Sequence, residues 1–203
     1  MLVVEEYRCE SGIPIIRTFI ALPVAGSPVE AVSAMIGCMQ EAGVSAKWVE
    51  PQNMHLTLKF LGDLPRTRIQ PLTDAVNRAV QGEPRFEIAL RGAGAFPSPA
   101  RPRVLWVGVS EGADRVSRLS RSIDESTMAS GFAPADKAFR PHLTIGRVRG
   151  ESAGTRGADV ISRYSDAFWG TVSVDCIHVV ASVLKPSGPI YTSLARIWLE
   201  RPA

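Results

Sequence analysis

Residues 54–61 read MHLTLKFL, and residues 141–148 read PHLTIGRV. The chain has three histidines, and two of them, His55 and His142, open the same His-Leu-Thr tripeptide nearly half a chain apart. Side chains alternate across a strand, so residues i and i+2 share a face. The first stretch is expected to turn Met54, Leu56, Leu58 and Phe60 one way, and His55, Thr57 and Lys59 the other. The second turns Leu143 and Ile145 one way, and His142 and Thr144 the other. Each copy is an imidazole and a hydroxyl on one face of a strand whose opposite face is apolar.

Around these strands the periodicity changes in step. IIRTFIAL (15–22) reads as a buried strand ended by Pro23, and 28–42 as a helix carrying Val32, Met35, Ile36 and Met39, with Gly43 as its stop. KWVE is a short strand, and Pro51-Gln52-Asn53 a turn. A second helix is predicted over 66–80 with Pro71 in its first turn, followed by a strand at RFEIALR (85–91). GAGAFPSPARP (92–102), rich in glycine and proline, is expected to link two halves. A strand at 103–109, a helix at 113–130 and the second HLT strand follow. Beyond them come a polar loop at 151–158, a short helix at 159–168 and one long β-rich run at 169–184. A turn at 185–189 and a closing strand at 190–199 complete the chain. Each half runs strand, helix, HLT strand, so the repeat is architectural as well as textual. Strands do not alternate one for one with helices, which predicts an α+β fold with largely antiparallel sheet.

The 203 residues suit one domain with its own core, and 45% hydrophobic with 21% charged residues is ordinary globular composition. Residues 1–14 read as an N-terminal extension without an assignable role. Residues 15–203 read as one bilobal domain, with halves near 15–92 and 103–200 and room for strands to exchange between them. No apolar run is long enough to span a membrane, and Glu5 and Glu6 stand where a secretory signal carries basic residues. Cys9, Cys38 and Cys176 are scattered and odd in number, which points to a reducing compartment, hence a cytoplasmic location. A formal charge of +3 and a pI near 9.0 are compatible with a polyanionic partner but too mild to argue for one.

Two imidazoles flanking a substrate suit an in-line displacement, one taking a proton from the nucleophile and the other giving one to the leaving oxygen. The threonine hydroxyls would hold the non-bridging oxygens of a phosphate between them. Two histidines are also two potential metal ligands, but no carboxylate, third histidine or cysteine stands nearby at ligand spacing. The third histidine, His178, reads as a structural donor.

HLTL and HLTI resemble the twin H-x-T-x motifs of the 2H phosphoesterase superfamily. RTFIALP, KWVEPQNMHLTLKFLGDL, GAFPSPARPRVLWVGV, FRPHLTIGRV and SVLKPSGPIYTSLARI are similar to its RNA 2′,3′-cyclic phosphodiesterase branch, the 2′-5′ RNA ligase-like proteins. The resemblance implies two pseudo-twofold-related lobes of antiparallel-rich sheet with helices outside and a central cleft. It implies opening of an RNA-terminal 2′,3′-cyclic phosphate to a 2′-phosphate without metal or other cofactor. His55 is then the proton donor and His142 the proton acceptor, while Thr57, Thr144 and Arg147 bind the phosphate. Phe19 falls where the family has an aromatic that can pack against the terminal base, and plain core is an equal reading of it. Tyr191 belongs to the closing pattern near the cleft. Thr18, where an aliphatic residue is usual, and Gly146, where alanine is common, depart from the pattern without touching the chemistry.

The expected partner is an RNA with a 2′,3′-cyclic phosphate end or a small cyclic nucleotide, bound by a monomer away from membranes. Two other readings stay open. The same acid–base pair run in reverse would join 2′-5′ ends, or would act on another cyclic or 2′-5′-linked nucleotide. A non-catalytic RNA-end-binding module would keep the fold without needing two titrating imidazoles.

Overall fold

The computed structural model describes residues 8–10, 12–148, 159–186 and 188–201. The loop expected at 151–158 lies outside the described residues, as do residues 1–7. The order is β1 (Arg8–Glu10), β2 (Ile13–Pro23), α1 (Ser27–Glu41), β3 (Ala46–Trp48), β4 (His55–Pro65), α2 (Ile69–Ala79), β5 (Phe86–Ser98), β6 (Arg101–Val109), α3 (Ala113–Ala129), β7 (His142–Val148), β8 (Phe168–Val174), β9 (Cys176–Lys185) and β10 (Gly188–Trp198). Among the described residues no helix is long and apolar enough to cross a membrane.

The strands form one antiparallel sheet in the order β10-β9-β2-β4-β7-β6-β5-β8, with β1 on β2 and β3 on β7. The fold is the α+β class the patterning implies. The two HLT strands, β4 and β7, are the seam between two four-stranded halves, and Leu56 pairs with Leu143 across it. The halves of the sheet are not the halves of the chain. β5 lies in the half with β6, β7 and β8, while β9 and β10 return to flank β2.

One face of the sheet carries the core. Leu56, Leu58, Leu105, Val107, Leu143 and Ile145 point into it and pack with Val116 and Ile123 of α3. α3 lies against β4, α1 against β8, and α2 against α3 and β10. The opposite face has a separate small apolar cluster of Phe19, Ala21 and Val180, with Tyr191 against it. That face is the cleft.

Four local expectations change. GAGAFPSPARP is not a linker: most of it continues β5 and turns directly into β6. Its glycines serve close approach rather than flexibility, since a Cβ on Gly94 would clash with the Trp106 ring at 2.4 Å. The long run at 169–184 is two strands broken at Asp175, β8 pairing with β5 and β9 with β2 at a distant part of the sheet. Residues 159–162 are helical, but Phe168 belongs to β8, where it pairs with Arg91. At the other end β2 begins at Ile13, and Arg8–Glu10 folds back on it.

Candidate active site

The seam places the repeat. With Leu56 opposite Leu143 in antiparallel register, His55 is the neighbour of Thr144, and Thr57 the neighbour of His142. Leu56 and Leu143 are both 0% exposed on the core face. Alternation then sends all four polar side chains to the cleft face as one patch. Read along the strands, His55–Phe60 and His142–Arg147 have the same burial sequence: half-buried, buried, half-buried, buried, buried, exposed.

That sequence breaks strict alternation, because each strand bulges after its threonine. Opposite β2, Ala21 pairs with Thr57 but Ile20 with Lys59, which leaves Leu58 as the extra residue. Opposite β6, Trp106 pairs with Thr144 but Leu105 with Gly146, which leaves Ile145 as the extra residue. A bulge reverses the parity of everything beyond it. Lys59, expected beside His55 and Thr57, instead enters the core side, and Phe60, expected in the core, emerges on the cleft face with 58% exposure. The same reversal carries Arg147 to the cleft face, which an offset of five from His142 would otherwise deny it. Both bulge carbonyls are satisfied: Ser120 Oγ donates to Leu58 O (2.9 Å) and the Val49 N–H to Ile145 O (2.9 Å). At the equivalent of Lys59 stands Gly146, where a Cβ would meet the Trp48 ring at 2.9 Å. The glycine thus matches Trp48. Thr18, the other departure, is buried and donates its hydroxyl to Ile16 O (2.9 Å).

The imidazoles are held alike. The Nδ1–H of His55 donates to Asn53 O and that of His142 to Arg140 O, each at 2.7 Å and each two residues upstream. A carbonyl only accepts, so the proton sits on Nδ1 and the neutral ring presents Nε2 to the cleft. Thr57 donates its hydroxyl to His55 Nε2 (3.0 Å). Burial pushes both histidines below the ordinary imidazole value, the carbonyl bonds oppose this, and a neighbouring basic group adds to it: His142 for His55, and Arg147 for His142.

The remaining expected residues reach the site from different elements. Phe19 of β2 lies under His55, its ring stacked on the imidazole (4.9 Å between centroids) and only 3% exposed. Its observed contact is therefore with the imidazole. Tyr191 of β10 stands edge-on to both Phe19 (5.2 Å) and His55 (5.4 Å). Burial pushes its hydroxyl pKa up, and the charges of Arg147 and Arg17 oppose this. Asn53 ties the β9–β10 hairpin to this corner by donating to Pro189 O (3.4 Å). On the other side Phe96 meets His142 edge-on (5.1 Å) and leans on Trp106 (5.3 Å). The sequence reading missed Phe60, Arg17 and Phe96. Aligning HLTLKF with HLTIGR would have exposed the first, since Phe60 and Arg147 occupy the same offset. His178 and Tyr191 are on this face too. Among the described residues no three His, Cys, Asp or Glu side chains group closely enough to hold a metal ion.

Comparison with known proteins matches this architecture. The model of the family described as LigT like Phosphoesterase matches the chain twice, over residues 24–106 and 107–191. The RNA 2′,3′-cyclic phosphodiesterase of Methanothermobacter thermautotrophicus is 36% identical over 179 residues, 88% of this chain and 96% of that protein. The protein of the same name from Archaeoglobus fulgidus is 37% identical over 179 residues, 88% and 97% of the two chains. Among solved structures, TT0787 of Thermus thermophilus superposes with a TM-score of 0.72 at 27% identity, covering 93% of this chain and all of that one. E. coli LigT complexed with 3′-AMP shares the fold, with a TM-score of 0.73 at 24% identity over 92% of this chain and 99% of its own.

Proposed function

The chain belongs to the LigT-like phosphoesterase family, and we propose on that footing that it hydrolyses RNA-terminal 2′,3′-cyclic phosphates to 2′-phosphomonoesters by two-histidine acid–base chemistry. The observation that carries the mechanism is the pair of imidazoles on one sheet face, both anchored through Nδ1 and both presenting Nε2. His142 Nε2 takes a proton from water as the water oxygen attacks phosphorus. The bond from phosphorus to the 3′-oxygen breaks, and protonated His55 gives its Nε2 proton to that oxygen. The products are a 2′-phosphate and a 3′-hydroxyl. Arg147 beside His142 disfavours its protonated form, which suits a base. A phosphate anion bound between the rings raises the pKa of His55, so the substrate itself helps charge the acid. Thr57 and Thr144, diagonal to each other across the seam, donate to the two non-bridging oxygens. The protein acts as a monomer in the cytoplasm, in keeping with the free thiols Cys38 and Cys176.

A short RNA ending in a 2′,3′-cyclic phosphate, incubated with the protein and EDTA, is expected to acquire a 2′-phosphate end. A cyclic end that persists overturns the reading, and opening only on addition of metal overturns the two-histidine mechanism. Because burial holds both imidazoles below the ordinary imidazole value in the free protein, the kcat/KM profile is expected to be a bell displaced to the acid side of ordinary imidazole titration. Burial is the main cause that depresses His142 and the Arg147 charge adds to it, so Arg147→Gln moves the bell to higher pH. It also loses a charged hydrogen bond to phosphate, about 10- to 100-fold in kcat/KM. A bell that stays in place would show that Arg147 does not act on His142.

A further inference from the structure

We infer that His178 and Arg196 form a second phosphate subsite, for the phosphodiester on the 5′ side of the terminal nucleotide, so that the protein takes an RNA strand in preference to a mononucleotide. This rests on the cyclic-phosphate reading above. The sheet register carries the argument. Arg196 pairs with His178, His178 with Ala21, and Ala21 with Thr57, and the seam sets Thr57 beside His142. Residues paired across strands share a face. The cleft face therefore holds one row: His142, Thr57, Ala21, His178, Arg196. Their chain neighbours Ile177, Val179 and Ile197 all point into the core, which confirms the direction.

Strands lie about 4.8 Å apart, so the backbone of His178 is about 10 Å from that of Thr57, and Arg196 one strand further. Between them Ala21 carries no polar group and is packed in the small apolar cluster with Phe19 and Val180, so His178 and Arg196 are the next polar side chains of the row. An RNA strand with its end between the catalytic histidines has its next phosphate one nucleotide away. An arginine side chain is long enough to bring its guanidinium to that phosphate from one strand further. His178, depressed by burial and by Arg196, meets the phosphate as a neutral hydrogen-bond donor. Its neighbour Cys176 Sγ, 3.5 Å from Nε2, is kept protonated by burial and adds no negative charge. The choice of this half follows from the row itself, since among the described residues only here does the register put a cation in line with His142 and Thr57. In the other half Arg91 is held by both oxygens of Asp166 (2.8 and 3.2 Å). Arg196 is exposed and, among the described residues, forms no ion pair with a carboxylate.

The test compares a tetraribonucleotide ending in a 2′,3′-cyclic phosphate with the mononucleoside 2′,3′-cyclic phosphate of the same base. Arg196→Glu is expected to raise KM for the tetranucleotide about 10-fold at unchanged kcat, and to leave the mononucleotide kinetics as they were. Arg196→Lys retains most of the wild-type KM. In Arg196→Ala the salt slope of kcat/KM for the strand becomes shallower by about 0.7. An equal change on both substrates, or none on the strand, overturns the subsite. A binding arm separates this from failure of the function reading. A tetranucleotide with a plain 3′-phosphate end, followed by fluorescence anisotropy, should bind Arg196→Glu more weakly than wild type. Equal binding overturns the subsite whether or not the cyclic phosphate is opened.

Discussion

Alanine at His142 is expected to lower kcat for cyclic-phosphate opening by about 10²–10⁴-fold, and alanine at His55 by a similar factor. The two losses should not multiply, because a displacement that lacks either proton transfer gains little from the other. Neither change threatens the fold. Both rings are half-buried on the cleft face, whereas the core contacts of these strands are made by Leu56, Leu143 and their neighbours. Unchanged thermal unfolding would establish this. The roles separate through the leaving group. A nucleoside phosphodiester that expels p-nitrophenoxide needs no proton on the departing oxygen, so His55→Ala should lose far less on it than on the cyclic phosphate. His142→Ala should lose heavily on both. The opposite pattern would exchange acid and base, and wild-type rates from either variant on the cyclic phosphate would end the site assignment.

The legible part of this site was the part written at a period of two. His55, Thr57, His142 and Thr144 lie within two-residue windows, and alternation alone puts each pair on a face. Their meeting was legible only as a consequence of the repeat, because the single Leu56–Leu143 pairing is a contact far apart in sequence. Beyond the threonines the period fails. Leu58 and Ile145 have the side chains of ordinary core strand residues, and what turns them into bulges is a donor from elsewhere: Ser120 on α3 in one case, and the backbone of Val49 in the other. Strand alternation therefore misplaced Lys59 and Phe60. Glycine and proline misled for a related reason. In GAGAFPSPARP they read as flexibility, yet Gly94 is small because Trp106 occupies its face, and Trp106 lies beyond the supposed linker. The interleaving of β9 and β10 with β2 likewise depends on a break at Asp175 inside an uninterrupted β pattern.

Loss of the Asp124 carboxylate is expected to destabilise the protein by about 3–5 kcal/mol, whereas replacing Lys59 with methionine should be nearly neutral or stabilising. The asymmetry follows from which partner is buried. The Lys59 side chain is 1% exposed and Asp124 28%, with Nζ 2.6 Å from the carboxylate and donating to Thr127 Oγ1 at 2.7 Å. Asp124→Ala strands an ammonium in the core with one hydroxyl for company. Lys59→Met leaves a carboxylate that water already reaches. Equilibrium denaturation measures both, and comparable losses from the two variants would show that the pair does not carry its charge as described. The consequence reaches the site. Ser120, Asp124 and Thr127 fall on one side of α3, where they hold the carbonyl of Leu58 and the side chain of Lys59, so the helix fixes the bulge that delivers Phe60 to the cleft. Methionine can follow the same path into the core and keep that parity. Lys59→Met should therefore retain near-wild-type kcat/KM, while Asp124→Ala loses activity at temperatures where its fold begins to fail. Activity lost in Lys59→Met at full stability would mean that the ammonium, and not merely the bulge, serves the cleft.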